Sequence, residues 1–199
     1  ISTLSLDPGF TPGNNGLLSN VGPFNVPEAY KDVRVKVTND GGSTRRGCST
    51  DNFAIRPNSL AVSPTDTDWQ TAGTTRALTN TNVSGGVTHK AGQPFTVTAT
   101  AKNFSSVTTL NYVGTQSTSW VLSQCTGGTA CTLGTFALGT AGFAPGVVTW
   151  NSATYSEVGA FDLTLQDPAF AAVDAGDTPA SCGATGYYVC GTASVGRFV

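Results

Sequence analysis

The five cysteines and the single histidine of this chain are the residues whose chemistry depends most on spacing. Cys125 and Cys131 bracket the loop TGGTA, and Cys182 and Cys190 bracket GATGYYV. Both separations suit a disulfide that closes a hairpin or loop, each stabilising by roughly 2 kcal/mol through loop entropy. A zinc site needs Cys and His side chains grouped at ligand spacing, and His89 is far in sequence from every cysteine. Two disulfides are expected, and with them an oxidising compartment: periplasm, cell surface or outside the cell. Cys48 is left over; it is free, bonded to an external partner, or able to displace one of these pairings.

Catalytic groups are scarce. A Ser–His–Asp triad would have to use His89, with Ser84 nearby, but no G-x-S-x-G surrounds it. Beside Lys90, His89 reads as a solvated loop residue. Paired-carboxylate hydrolysis needs two acids across a cleft, and Glu28 and Glu157 are the only glutamates. Glu157 suits a turn cap or a partner for an arginine such as Arg197. Asp66 and Asp68 in PTDTDW, and Asp174 and Asp177 in VDAGDT, offer oxygens for Ca²⁺ but lack an EF-hand pattern. They read as solvated acidic loops, so no catalytic residue, metal or cofactor is expected. Trp69, Tyr187 and Tyr188 are the aromatics that could stack on a sugar ring. Asn82 and Asn103 open N-x-S triplets, counted as chance. Charged residues make up only 11% and the net charge is -2, which gives no basic footprint for nucleic acid. No apolar run reaches the ~18 residues of a membrane span.

The elements that must position these residues are strands. From Phe95 to Lys102, apolar and polar residues alternate without a break. Phe95, Val97, Ala99 and Ala101 share one face; Thr96, Thr98, Thr100 and Lys102 share the other. A strand with one wet face needs neighbours beside it and a second layer over its apolar side. Further strands are expected at Asp32–Thr38, with Val33, Val35 and Val37 on one face, and from Leu60. More follow at Leu110–Val113, Ser119–Ser123, Thr132–Leu138, Val147–Trp150, Thr154–Tyr155 and Phe161–Leu165. Tyr187–Cys190 and Val195–Val199 close the series. The Cys125–Cys131 loop is expected to reverse the chain, and residues 63–90 to form a long loop or two short strands. Arg45–Arg46 reads as an exposed basic pair in a loop. Phe95, Trp120, Phe136, Trp150, Tyr155 and Phe161 are expected in the core. No helical period stands out, and the chain carries 24 Gly and 10 Pro. The fold expected is an all-β, antiparallel, immunoglobulin-like sandwich braced by disulfides. It occupies residues 30–199, after a lead-in linker or the end of a preceding domain at 1–29. Ile1 reads as a mature or trimmed start.

CSTDNFAIRP at 48–57, AGQPFTVTATAKN at 91–103, NYVG at 111–114, TYSEVGAFDLTL at 154–165 and VGRFV at 195–199 occur in that order. Together, over about residues 30–199, they resemble a domain of proteins similar to the biogenesis protein Q of the mannose-sensitive haemagglutinin (type IV) pilus. The resemblance implies a segment of a large, secreted, multi-domain bacterial surface protein, with no assigned catalytic residues. On this reading the chain is a non-enzymatic extracellular module for adhesion or assembly. Its partners are other surface or pilus proteins, copies of itself, or glycans. A filament subunit assembled by strand exchange and a carbohydrate-binding module are the alternative expectations.

Overall fold

The computed structural model describes residues 11–15, 17, 25–39, 45–68, 70–113, 119–126 and 132–199. The strands are β1 (Tyr30–Val33), β2 (Lys36–Asn39), β3 (Arg45–Cys48), β4 (Phe53–Ile55), β5 (Ser59–Thr67), β6 (Thr75–Ala77) and β7 (Phe95–Lys102). They continue with β8 (Ser119–Thr126), β9 (Phe136–Ala137), β10 (Ala141–Ala144), β11 (Val147–Tyr155), β12 (Gly159–Asp167) and β13 (Val189–Phe198). Two single 3-10 turns, Pro12–Asn14 and Ala172–Asp174, are the only helical pieces among the described residues. None is long and apolar enough to cross a membrane.

The strands build an antiparallel sandwich. The large sheet runs β10–β11–β7–β5–β6, with β9 paired to the end of β11, and the small sheet runs β13–β12–β8. The alternation in β7 works as its sequence dictates. Phe95, Val97, Ala99 and Ala101 are all buried, while the threonines between them stay half-buried. β11 carries one additional residue between Trp150, opposite Val97, and Ala153, opposite Phe95. This bulge turns both Trp150 and Ala153 inward. Pro64 lies inside β5 without weakening its ladder to β7. Its carbonyl accepts from Leu78 N at 2.9 Å, so its missing N–H faces away from β7.

Aromatic rings from both sheets meet between the layers. Tyr155 of β11 lies 4.3 Å from Phe161 of β12, and Phe95 of β7 lies 5.4 Å from Phe198 of β13. Where β13 passes β5 the backbones nearly touch. A Cβ on Gly191 would stand 2.7 Å from Leu60 Cβ and would overlap the Leu60 carbonyl, so only glycine fits this crossing.

Several expected elements are corrected. Asp32–Thr38 is not one strand. β1 pairs with β4 and β2 with β3, forming one interrupted two-stranded ribbon. The interruption lies where Ser49 and Asp51 bond locally: Ser49 Oγ donates to the Asp51 carbonyl and accepts from Val35 N. Val35 and Val37 are exposed rather than packed, with no second sheet over them. Arg45 and Arg46 stand in β3, not in a loop. Of the two expectations for residues 63–90, two short strands with a loop is the one that holds: β5 continues through Thr67 and pairs with β6, and the rest is loop. Leu110–Val113 forms turn and coil. β8 and β9 do not form a hairpin: β8 pairs with β12 and β9 with β11, in different sheets. Trp120 remains 39% exposed at the layer edge, its ring against Phe136. The two closing strands are one, β13.

Candidate functional site

The inward face of β5 ends on an acid, Asp66, and burial obliges it to be paired. Arg76 of β6 supplies a two-pronged partner, with Nε 3.1 Å from Asp66 Oδ1 and Nη2 2.7 Å from Oδ2. The hydrogen bond to Asp66 holds the guanidinium pKa above its ordinary value. His89 completes the cluster, with Nδ1 3.0 Å from Asp66 Oδ2 and Nε2 3.1 Å from the Gln93 carbonyl. Its ring lies edge-on to Phe95 and Phe198, each at 5.8 Å. The expectation of a solvated loop histidine is therefore corrected: His89 is buried and bonded at both nitrogens. A His–Asp pair is present, but Nε2, the atom that would serve a nucleophile, is committed to a backbone carbonyl, and Ser84 stands exposed.

The acidic loops are corrected too. Asp66 is buried, and Asp68 accepts from Gln70 N at 2.8 Å. Asp174 ties down Ala54 N at 3.2 Å, while Asp177 is exposed. Neither aspartate pair forms an ion cage; among the described residues no three His, Cys, Asp or Glu side chains gather as a metal site. Arg197 bonds the Asn82 carbonyl at 3.1 Å rather than Glu157, which is exposed in the β11–β12 turn.

A second buried polar pair gave no sequence signal beyond an aspartate at a strand end. Tyr112 Oη donates to Asp167 Oδ2 at 2.8 Å, and Asp167 Oδ1 accepts from Ala169 N and Phe170 N. Burial, then the Asp167 charge and hydrogen bond, push the phenol pKa far above its ordinary 10.0. Above about pH 10 the unfolded chain loses the Tyr112 proton and the folded chain keeps it. Stability should then fall by about 1.4 kcal/mol per pH unit from this group. Urea midpoints between pH 9 and 11 check this: Tyr112→Phe should flatten the slope and, by orphaning Asp167 Oδ2, cost about 1–3 kcal/mol at neutral pH.

At the other end of the β5–β7 ladder from Asp66 is an open cleft of about 410 Å³, lined in part by Glu28, Ile55, Arg56, Asn103, Phe104 and Cys182. The Cys182–Cys190 disulfide closes one wall. Arg56 secures that wall, donating to the Ala184 carbonyl at 3.0 Å and the Tyr188 carbonyl at 3.4 Å. Asn103 builds the opposite rim. Its Oδ1 accepts from Ser105 N and Val107 N, and its Nδ2 donates to the Pro27 carbonyl. The turn it fixes leaves Phe104 92% exposed, with Val107 and Leu110 also outward. Asn103 was legible as a strand end but not as the organiser of this rim. Tyr187 packs on the core and meets Tyr188 at 88°, so the two rings do not form one flat stacking surface. Trp69, Cys131 and the side chain of Cys125 lie outside the described residues. Cys48 is a free, exposed thiol on β3. Comparison with family models, curated proteins and solved structures returns no match.

Proposed function

We propose that this chain is a non-enzymatic module of an exported bacterial surface protein associated with type IV pili, working by contact in adhesion or assembly. The observation that carries the reading is Phe104, almost wholly exposed on a hydrogen-bonded turn at the mouth of a cleft. A large apolar side chain held out on a fixed turn is the form of a contact anchor. The order of the family-like motifs and the Cys182–Cys190 disulfide support export to an oxidising compartment. Commitment of both His89 nitrogens supports a structural role for the one His–Asp pair.

A second reading, a filament subunit joined by strand addition, is favoured by β8. This strand of eight residues pairs on one side only among the described residues, and Ser119–Thr126 contains neither a charge nor a proline. Edge strands without such guards accept another strand readily.

The test is competition. Purified chain should inhibit attachment or clumping of cells that display the full-length protein, and Phe104→Ser should be a competitor weaker by about tenfold at unchanged melting temperature. A wild-type chain that does not compete, or a variant that competes equally, overturns the contact reading. Concentration-dependent polymers from the same preparation would favour the β8 reading instead.

A further inference from the structure

Half of the basic residues of this chain lie in one short stretch. Lys31, Arg34, Lys36, Arg45 and Arg46 are five of its ten Lys and Arg, and the same stretch contains only Asp32 and Asp40 as acids. It thus holds a surplus of three positive charges in a chain whose net charge is -2. Its described residues lie in β1, β2, the interruption between them and the start of β3, and β2 with β3 forms a sheet of its own, bonded to neither main sheet.

Register decides which charges act together. Lys36 stands opposite Cys48 and Thr38 opposite Arg46, so Lys36 and Arg46 are diagonal neighbours on one face. That places the two residues about 7–8 Å apart, with their Cβ atoms somewhat closer. Both are exposed, and among the described residues neither has a carboxylate within 4.0 Å. Arg34, two residues before Lys36 in the interruption between β1 and β2, is exposed and spends one nitrogen on the Thr50 carbonyl at 3.3 Å. Lys31 instead sits over the Phe170 ring at 5.5 Å and belongs to the ribbon base. Val37 lies on the opposite face of the ribbon, so the basic side has no apolar centre. A contact there would be ionic, unlike the aromatic rim at Phe104.

We propose that the β2–β3 ribbon binds an acidic polysaccharide, bearing carboxylate or sulfate groups, through Lys36 and Arg46 with Arg34 in support. The choice of a polysaccharide rests on the exported, contact-making reading above. It also follows from charge: duplex nucleic acid carries one charge per ~1.7 Å, and the acidic surplus of the rest of the chain opposes so dense a polyanion.

The experiment measures binding of the full chain to polygalacturonate, with neutral dextran and duplex DNA as comparisons. Binding to polygalacturonate should weaken about tenfold between about 50 and 200 mM salt, as two to three released counterions require. Lys36→Glu with Arg46→Glu should weaken it by a further tenfold or more, and Phe104→Ser should leave it unchanged. Should the charge-reversed protein fail to melt cooperatively, Lys36→Gln with Arg46→Gln takes its place. No binding at low salt, equal binding of dextran, indifference to the ribbon substitutions, or tighter binding of DNA each overturns the proposal. A chain that competes in cell attachment yet ignores polygalacturonate sinks the ribbon site alone. A chain that binds polygalacturonate yet does not compete sinks the Phe104 reading alone.

Discussion

Phe95→Asp should give a chain with no cooperative unfolding transition. Phe95 is 3% exposed, and its ring is ringed by Phe136 at 6.3 Å, Phe198 at 5.4 Å and His89 at 5.8 Å. Loss of the ring alone costs about 3–5 kcal/mol. An unpaired carboxylate left in that space adds several kcal/mol more, against a total stability of about 5–15 kcal/mol for an ordinary domain. His89 offers no rescue, because both of its nitrogens are already bonded to Asp66 and the Gln93 carbonyl. The informative partner is Thr96→Asp, one residue along on the half-buried face of the same strand. That change should cost about 1 kcal/mol or less, since it meets water and the open side of Thr65. Circular dichroism during urea titration of both variants settles the matter. Cooperative unfolding of Phe95→Asp within 2 kcal/mol of wild type would remove β7 from the centre of the fold.

Why β7 could be read from its residues, and the ribbon could not, is a matter of range. In β7 each inward residue is apolar and each outward residue is Thr or Lys, so one stretch of eight carries the whole signal. β12 shows the same pattern through Phe161, Leu163 and Leu165. Val33, Val35 and Val37 show it too, yet Val35 and Val37 find no layer to cover them. Alternation states which residues share a face, not whether a second sheet reaches that face. Tyr187–Cys190 and Val195–Val199 look like separate strands because Gly191 and the small residues after it, Thr192 to Ser194, give no apolar alternation between them. Gly191 is there for the crossing with Leu60, a contact 131 residues away that no local pattern records. Around Cys125 a short loop suggests a hairpin for the same local reason, but β8 and β9 satisfy their backbone bonds in separate sheets.

The candidate site divides in the same way. The Cys182–Cys190 disulfide follows from spacing alone, because a short loop brings its ends together whatever the rest of the chain does. Phe104 stands in a stretch, Asn103–Phe104–Ser105–Ser106–Val107, whose apolar residues could as well face inward. The bonds of Asn103 to Ser105, Val107 and Pro27, with the backbone bonds Asn103 N to Val107 and Ser106 N to Asn103, fix the turn that carries them outward. Tyr112 and Asp167 are 55 residues apart, and their pairing required the folded arrangement of the turn before β8 and the end of β12.

The largest expected loss outside the aromatic core comes from Asp66→Ala. Asp66 has no exposed side-chain surface, and its removal strands Arg76, whose side chain is 20% exposed, together with the buried His89. Breaking a buried pair by deleting one member costs about 3–5 kcal/mol, and the partial exposure of Arg76 sets the expectation near 3. Asp66→Asn keeps one oxygen for the guanidinium and should cost about 1.5–3 kcal/mol. The damage should be local as well as global. His89 N donates to the Arg197 carbonyl, and Val199 N donates to the His89 carbonyl, so the cluster pins the last residues of β13 to the segment before β7. Hydrogen exchange at Val199 and His89 should therefore accelerate more than exchange at Val97 or Leu163 in the core. If Asp66→Ala costs less than about 1 kcal/mol, the range of an exposed ion pair, the cluster is not the brace described. If it costs 3 kcal/mol with uniform exchange, Asp66 stabilises the sandwich without specifically holding its final strand.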